Sequence, residues 1–210
     1  MTNILFMNIP STIVCLGNPG QEYAKTRHNA GFLVGEKLLG LIKQSDEWQF
    51  EETTNKDVRL IKATGNDGRV VRLFFPLAFM NRTGETLWEY LHYRPETISI
   101  NDAIVVRDEL DLLLGSFKVR QSAGSGGHRG VESLQKMFGA KEELWQVKIG
   151  IGRDPRIAVD AYVLQMPKAD EAKEFTQAID KAADFLFHTI VQQDRPLEAI
   201  TDKAIKHDGA

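Results

Sequence analysis

The chain has 210 residues with 42% hydrophobic and 26% charged side chains, the proportions of one ordinary soluble globular domain able to bury a sizeable core. Its single cysteine, Cys15, excludes an internal disulfide framework and any zinc knuckle built on cysteine spacing. The net charge of −3 is uneven, because residues 112–156 carry 8 basic against 4 acidic side chains while residues 157–210 carry 6 against 10. A basic middle in an acidic chain suits a local phosphate-binding face better than general nucleic-acid affinity, with a mixed solvated surface as the alternative.

Residues 1–10 form an N-terminal extension without a basic region and with only a short apolar run, and no span is long enough to cross a membrane. The expectation is a cytoplasmic protein with no membrane contact. Residues 11–210 are expected to form one α/β domain, a twisted mixed β-sheet flanked by helices.

The β-branched run Ser11–Leu16 predicts a first strand, in which Cys15 is a buried structural thiol. Gly17-Asn18-Pro19-Gly20 then forces a tight turn, and the apolar periodicity of Phe32 to Ile42 predicts a helix. The intervening stretch is a strand-to-helix crossover, where open α/β sheets keep their ligands. His28 falls near the helix start with Thr26 as its N-cap, and the helix dipole there favours a neutral, proton-accepting imidazole.

Polar, acidic Asp46 to Lys56 reads as an irregular connection. Val58–Ala63 and Arg69–Phe75 make a hairpin around the turn Gly65-Asn66-Asp67-Gly68. A helix carrying Leu87, Tyr90 and Leu91 follows and is stopped by Pro95. Ala103–Arg107 is a buried strand that runs into Asp108-Glu109-Leu110-Asp111. Ser116–Arg120 is another strand, ahead of the glycine-rich segment 121–130 and a short helix marked by Val131, Leu134 and Phe138. Trp145–Ile151 is a further strand. Asp170 to Ile190 shows the clearest helical spacing, and a last helix starts at Pro196 with Asp194 as its cap.

Several signatures fail on inspection. Gly20–Thr26 is one residue short of a phosphate-binding loop and lacks its second glycine, and no G-x-G-x-x-G opens the first crossover. Ser125 lies among glycines without matching G-x-S-x-G, which leaves a serine esterase weakly supported. Without H-E-x-x-H or H-x-H, and with one acidic cluster at Asp108, Glu109 and Asp111, neither a metal nor a cofactor is expected.

What remains is a constellation. Asn18, His28, Met80, Asn81 and Asp108 each lie beyond the C-terminal end of a predicted strand, and such ends collect along one edge of an α/β sheet. A carboxylate, an imidazole and carboxamides suit hydrolysis by an activated water. Asp would orient His, His would take the proton, and an Asn N–H would bind the oxyanion. Read singly, Asn18 is also a turn residue, Asn81 a helix cap and Asp108 a turn carboxylate.

These residues fall in blocks that resemble the bacterial-type peptidyl-tRNA hydrolases from Ile13 to the C-terminal helix. The blocks are Gly17–Gly20 with Tyr23, Thr26–Gly31, Phe79–Gly84, Asp108–Asp111, Gly126–Gly130 and Lys148–Gly152. The resemblance implies cleavage of the ester between a stalled peptide and the 3′-ribose of its tRNA, without metal or cofactor, by a monomer that recycles tRNA in translation. It implies His28 as base, Asp108 as the acid that orients it, and Asn81 as the amide that places water and steadies the intermediate. Asn18, Tyr23, Met80 and His128 match substrate-side positions. Lys118, Arg120 and Lys148 are the basic positions expected to grip the tRNA 5′-phosphate. Arg129 is a departure, since the family commonly has Asn between His128 and Gly130. The alternative is a non-catalytic RNA-binding protein on the same fold.

Overall fold

The computed structural model describes residues 10–94, 103–139 and 144–193. Seven strands form one mixed sheet: β1 Thr12–Cys15, β2 Trp48–Thr54, β3 Val58–Gly65, β4 Val70–Pro76, β5 Ala103–Glu109, β6 Phe117–Ser122 and β7 Leu144–Gly150. Their spatial order is β2-β3-β4-β1-β5-β7-β6. The central four, β4, β1, β5 and β7, run parallel, while β2 and β3 pair antiparallel beyond β4 and β6 pairs antiparallel with β7. This is the expected mixed sheet, with antiparallel pairing at both of its ends.

Parallel strands need crossovers, and the crossovers put helices on both faces. One face is covered by α1 (Ala30–Lys43) and α5 (Ala172–Leu186), whose Val34, Leu38, Ala178 and Ala182 meet Ile13, Ile104 and Val106 of the sheet. The other is covered by α2 (Thr83–His92) and α3 (Arg129–Phe138), whose Leu87, Tyr90, Val131 and Leu134 pack on Val14, Phe74 and Val105. Covered on both faces, β5 is buried at every residue.

Two expectations about elements are corrected. Asp46 to Lys56 is not an irregular connection, because Trp48–Thr54 pairs with β3 over its whole length. Only Trp48 of β2 is buried, so ladder hydrogen bonds rather than an apolar face make this edge strand, and its charged, exposed side chains discourage further pairing. Thr26 does not cap a helix: its hydroxyl donates to the Tyr23 carbonyl at 2.8 Å, and a 3-10 turn, Arg27–Asn29, intervenes before α1. Two extents also differ. Helix α2 ends at His92, and α5 passes into a π-helical turn at Phe187–Gln192. Residues 1–9, Pro95 and the helix expected from Pro196 lie outside the described residues. Cys15 is buried, and desolvation pushes its thiol far up, as a structural cysteine requires.

The parallel strands end at one edge, and two close approaches hold the helices there. Gly31 sets the start of α1 directly against the Leu16 and Val106 carbonyls, and Gly84 sets α2 against the Ser133 backbone of α3. A Cβ at Gly84 would stand closer than 3.0 Å to backbone atoms, so one helix would have to shift. Gly84→Ala is therefore expected to destabilise by about 1–3 kcal/mol. In thermal denaturation each kcal/mol should lower Tm by about 2–4 °C. An unchanged Tm would show that the two helices can part freely.

Candidate active site

Three segments meet at the C-terminal edge of β1 and β5. After β1 the chain turns so that Asn18 and Asn29 clasp each other. The Asn18 N–H donates to Asn29 Oδ1 at 2.9 Å, and Asn29 Nδ2 returns a bond to the Asn18 carbonyl at 3.0 Å. Asn18 Oδ1 also accepts from the Met80 N–H at 2.8 Å, tying this turn to the 3-10 turn Met80–Arg82 that leads into α2. The clasp fixes the 3-10 turn that carries His28, and the bond to Met80 fixes Asn81 beside it.

At the end of β5, Asp108 is buried and its Oδ1 lies 2.9 Å from His28 Nδ1 and 2.9 Å from His128 Nε2. Hydrogen-bond partners assign the tautomers. His128 is the N-cap of α3, and its Nδ1 accepts from the N–H groups of Gly130 (3.2 Å) and Val131 (3.4 Å), so its proton sits on Nε2 and points at Asp108. His28 then donates from Nδ1, which leaves Nε2 as the free basic nitrogen. Burial pushes the Asp108 carboxyl up, but its interactions with His128, then His28, outweigh it and hold the group well below the usual carboxylate range. Burial drives the His128 imidazole down, and the Asp108 charge only partly offsets it, which keeps the ring neutral. The three ligand atoms lie within 4.8 Å of one another, but each is already committed to the hydrogen bonds above. A cation would have to break the cap of α3 to gain His128, because a metal on Nε2 would move the ring proton to Nδ1.

His28 lines an open cleft with Asn18, Phe79, Met80, Asn81, Arg129, Asp160, Val163 and Leu164. Its side chain is 11% exposed, enough for the ring edge to reach solvent. Asn81 is exposed at the rim, and its carboxamide has no hydrogen bond among the described residues. Met80 is buried, with its sulfur against Gly130. Tyr23 does not line this cleft; it stands edge-on to Phe79, ring centroids 6.2 Å apart. Ser125 has no imidazole beside it, since its hydroxyl donates to Glu132 Oε1 at 3.2 Å, which removes the basis for a serine nucleophile.

Beneath the glycine-rich segment lies a charged layer. Arg107 is 1% exposed and donates to Gln146 Oε1, the Asp108 carbonyl and Glu109 Oε2 at 2.7–2.9 Å. Gln146 in turn donates to the Ser122 and Gly124 carbonyls, holding the base of the loop that carries His128. Lys148 stands in register with Arg107 on one side and Lys118 on the other. Its ammonium is 3.4 Å from Glu109 Oε2 and is pushed down, first by desolvation and then by Arg107. Lys118 and Arg120 have no carboxylate partner among the described residues. Lys118 and Lys148 thus face each other across the two strands, with Arg120 two residues further along β6 opposite Gln146; of the three, only Lys148 is paired with a carboxylate among the described residues.

The far wall of the cleft had no sequence signal. It is the short helix α4 (Val159–Val163), contributing Val159, Asp160 and Val163, with Leu164 next to it. Arg27 anchors it. Its guanidinium is buried, donates to the carbonyls of Gln165 and Met166 and to Glu171 Oε2, and lies 4.3 Å from the Tyr162 ring.

With this geometry in view, comparison with known proteins is decisive. Residues 12–207 match the family model described as peptidyl-tRNA hydrolase. The chain belongs to the peptidyl-tRNA hydrolase family. It is 39% identical over 181 residues to the peptidyl-tRNA hydrolase of Aquifex aeolicus, covering 85% of this chain and 88% of the relative. With that of Bacillus subtilis it shares 37% identity over 171 residues, 81% of this chain and 86% of the relative. The crystal structure of the Acinetobacter baumannii peptidyl-tRNA hydrolase superposes with a TM-score of 0.74 at 29% identity, over 90% of this chain and 92% of that one. Family membership makes the chain an enzyme that hydrolyses peptidyl-tRNA. Among the described residues no helix is long and apolar enough to cross a membrane.

The neutral, buried state of His128 has a measurable consequence. Its folded value lies below its ordinary one, so the unfolded chain takes up a proton that the folded site refuses. The stabilisation is whole above the unfolded value of about 6.5 and is lost as pH falls from there toward the folded value. Denaturant midpoints of the wild type should therefore drop between pH 7.5 and 5. His128→Asn, which keeps a donor for Asp108, should drop less over that interval; parallel curves would mean that His128 takes up its proton alike in the folded and unfolded chain.

Proposed function

We propose that the chain cleaves peptidyl-tRNA with His28 as general base, Asp108 as the residue that orients it and Asn81 as the oxyanion donor. The observation that carries this reading is the hydrogen bond from His28 Nδ1 to a buried, ionised Asp108, which presents the opposite nitrogen to the cleft. His28 Nε2 takes a proton from water as the oxygen adds to the ester carbonyl carbon. The Asn81 amide N–H donates to the oxyanion. The intermediate collapses by breaking the bond to the ribose 3′-oxygen, which recovers the proton from the imidazolium. The products are a peptide carboxylic acid, which ionises in water, and a tRNA with a free 3′-hydroxyl. His128 is a positioning residue that shares Asp108 and ties the glycine-rich loop to it.

Asn18 and Met80 support the substrate side of the cleft, and Tyr23 braces it through Phe79. The protein works as a cytoplasmic monomer, and its reaction needs no metal. A non-catalytic RNA-binding role would not require a free imidazole nitrogen in a cleft backed by a buried carboxylate.

General-base catalysis contributes about 10²–10⁴-fold. His28→Ala should lose that much kcat on N-acyl-aminoacyl-tRNA in metal-free buffer while tRNA binding persists. A variant within about threefold of the wild type would remove His28 from the role.

Lys118, Arg120 and Lys148 are proposed to hold the tRNA 5′-phosphate, with Lys148 exchanging Glu109 for it. Each neutralised phosphate should give a log–log salt slope of at most about −0.7 to −0.9. Arg120→Ala should weaken binding of 5′-phosphorylated substrate and flatten that slope, yet matter far less once the phosphate is removed. Additivity of mutation and dephosphorylation would move the phosphate elsewhere.

A further inference from the structure

The mouth of the cleft is spanned by one ion pair. Arg129 opens α3 and Asp160 lies in α4 on the facing wall, and Arg129 Nη2 donates to Asp160 Oδ2 at 2.6 Å. Their side chains are 58% and 69% exposed, so water competes for both and the pair is held weakly. In the open cleft Arg129 is the only permanent cation among the described lining residues and Asp160 the only carboxylate. Phe79, Met80, Val163 and Leu164 are its apolar lining, and Asn18, His28 and Asn81 its uncharged polar one. Arg129 also lines the smaller cavity behind His28, Asp108 and His128, which places it beside the reacting group.

The cleft continues past Arg129 into a groove between α2 and α3, lined by Asn81, Glu85, Glu132 and Lys136. That groove lies across α3 from the cation row of Lys118, Arg120 and Lys148. Helix α3 packs on α2, which in turn covers β3 and β4, whereas the row occupies β7 and β6 at the other end of the sheet. Glu85 and Glu132 there are balanced by Arg129 and Lys136, so the groove offers a polyanion no net attraction, unlike the cation row. A polyanion approaching over the cation row therefore leaves the Arg129 side to the peptide.

We propose that Arg129 is a specificity-determining residue that receives a carboxylate of the peptide, an aspartyl or glutamyl side chain next to the ester, in exchange for Asp160. The inference rests on the peptidyl-tRNA hydrolase reading and names a preferred substrate class within it. Asp160 already demonstrates the contact, a carboxylate at hydrogen-bond distance from the guanidinium inside the cleft mouth. A guanidinium offers five donors in a planar fork, matched to a carboxylate and useless to an ammonium. Substrates ending in lysine meet repulsion at the same point, and neutral amides gain only an uncharged hydrogen bond.

The test is kcat/KM of the full-length protein on one tRNA charged in turn with N-acetyl-aspartate, N-acetyl-asparagine and N-acetyl-lysine. The quantity read is the aspartyl-to-asparaginyl ratio, divided by the same ratio for Arg129→Gln so that intrinsic ester reactivity cancels. An exposed charge-assisted contact predicts a normalised preference of about three- to tenfold. Asp160→Asn, which removes the resident competitor, should raise it. Arg129→Lys should keep part of it, and the lysyl ester should rank last for the wild type. A normalised ratio near one overturns the proposal, as does a loss in Arg129→Gln that is equal for all three esters, which would assign Arg129 to the tRNA backbone. Failure of the wild type to hydrolyse any of the three overturns the hydrolase reading itself, an outcome distinct from active enzyme without preference.

Discussion

Asp108 Oδ1 accepts a hydrogen bond from each of two imidazoles, and much of the architecture follows from keeping that buried carboxylate charged. A carboxylate out of water needs donors, and here they come from segments far apart in the chain: His28 after β1 and His128 at the start of α3. The arrangement constrains more than position. Backbone N–H groups of Gly130 and Val131 occupy His128 Nδ1, so the helix cap decides where that ring carries its proton. His128 can only donate to Asp108, and the remaining charge of the carboxylate is directed at His28. His28 is therefore oriented from a helix N-terminus, through two side chains.

The charged layer under the glycine-rich segment serves the same end from below. Gly126 and Gly127 adopt positive φ angles, at 61° and 77°, and a loop with such freedom loses much entropy when it is fixed. Gln146 holds its base by two carbonyls, Arg107 holds Gln146, and Glu109 balances Arg107. Removing one member of such a buried set leaves another uncompensated, which is far worse than never having built the pair. The same Glu109 also faces Lys148, so that cation is already partly neutralised, while Lys118 and Arg120 have no carboxylate partner among the described residues.

Much of this was legible in the sequence because it is local. The β-branched run before Gly17, the turn residues, and the apolar spacing of α1 and α5 state their structures directly, and the parallel strands place Asn18, His28, Asn81 and Asp108 on one edge. What the sequence concealed depends on partners. Strand β2 has apolar residues only at Trp48 and Phe50, buries only the first, and exists through its ladder with β3, so its short alternation gave little sign of it. Helix α4 has five residues, too few for a periodic signal. His128, expected beside the substrate, is instead a buried support for Asp108; nothing in its glycine-rich neighbourhood announces burial. Arg27 stands next to His28 in the sequence yet reads as one more basic residue, since its value lies in contacts more than a hundred positions away.

Arg27 shows how the two walls of the cleft are joined. Five residues of helix cannot hold a position by their own hydrogen bonds, because helix nucleation is unfavourable at that length. The segment following α4 is instead gripped at its carbonyls by a guanidinium one residue before His28, and Glu171 at the start of α5 compensates the buried charge at 2.5 Å. The Arg27 N–H closes the contact with a bond to the Gln165 carbonyl at 3.0 Å. His28 and the facing wall are thus parts of one unit, while the opposite end of α4 carries the exposed Arg129–Asp160 pair. A wall gripped by the residue next to His28 is held at a set distance from that imidazole, whereas the pair at its other end is exposed and open to competition from water.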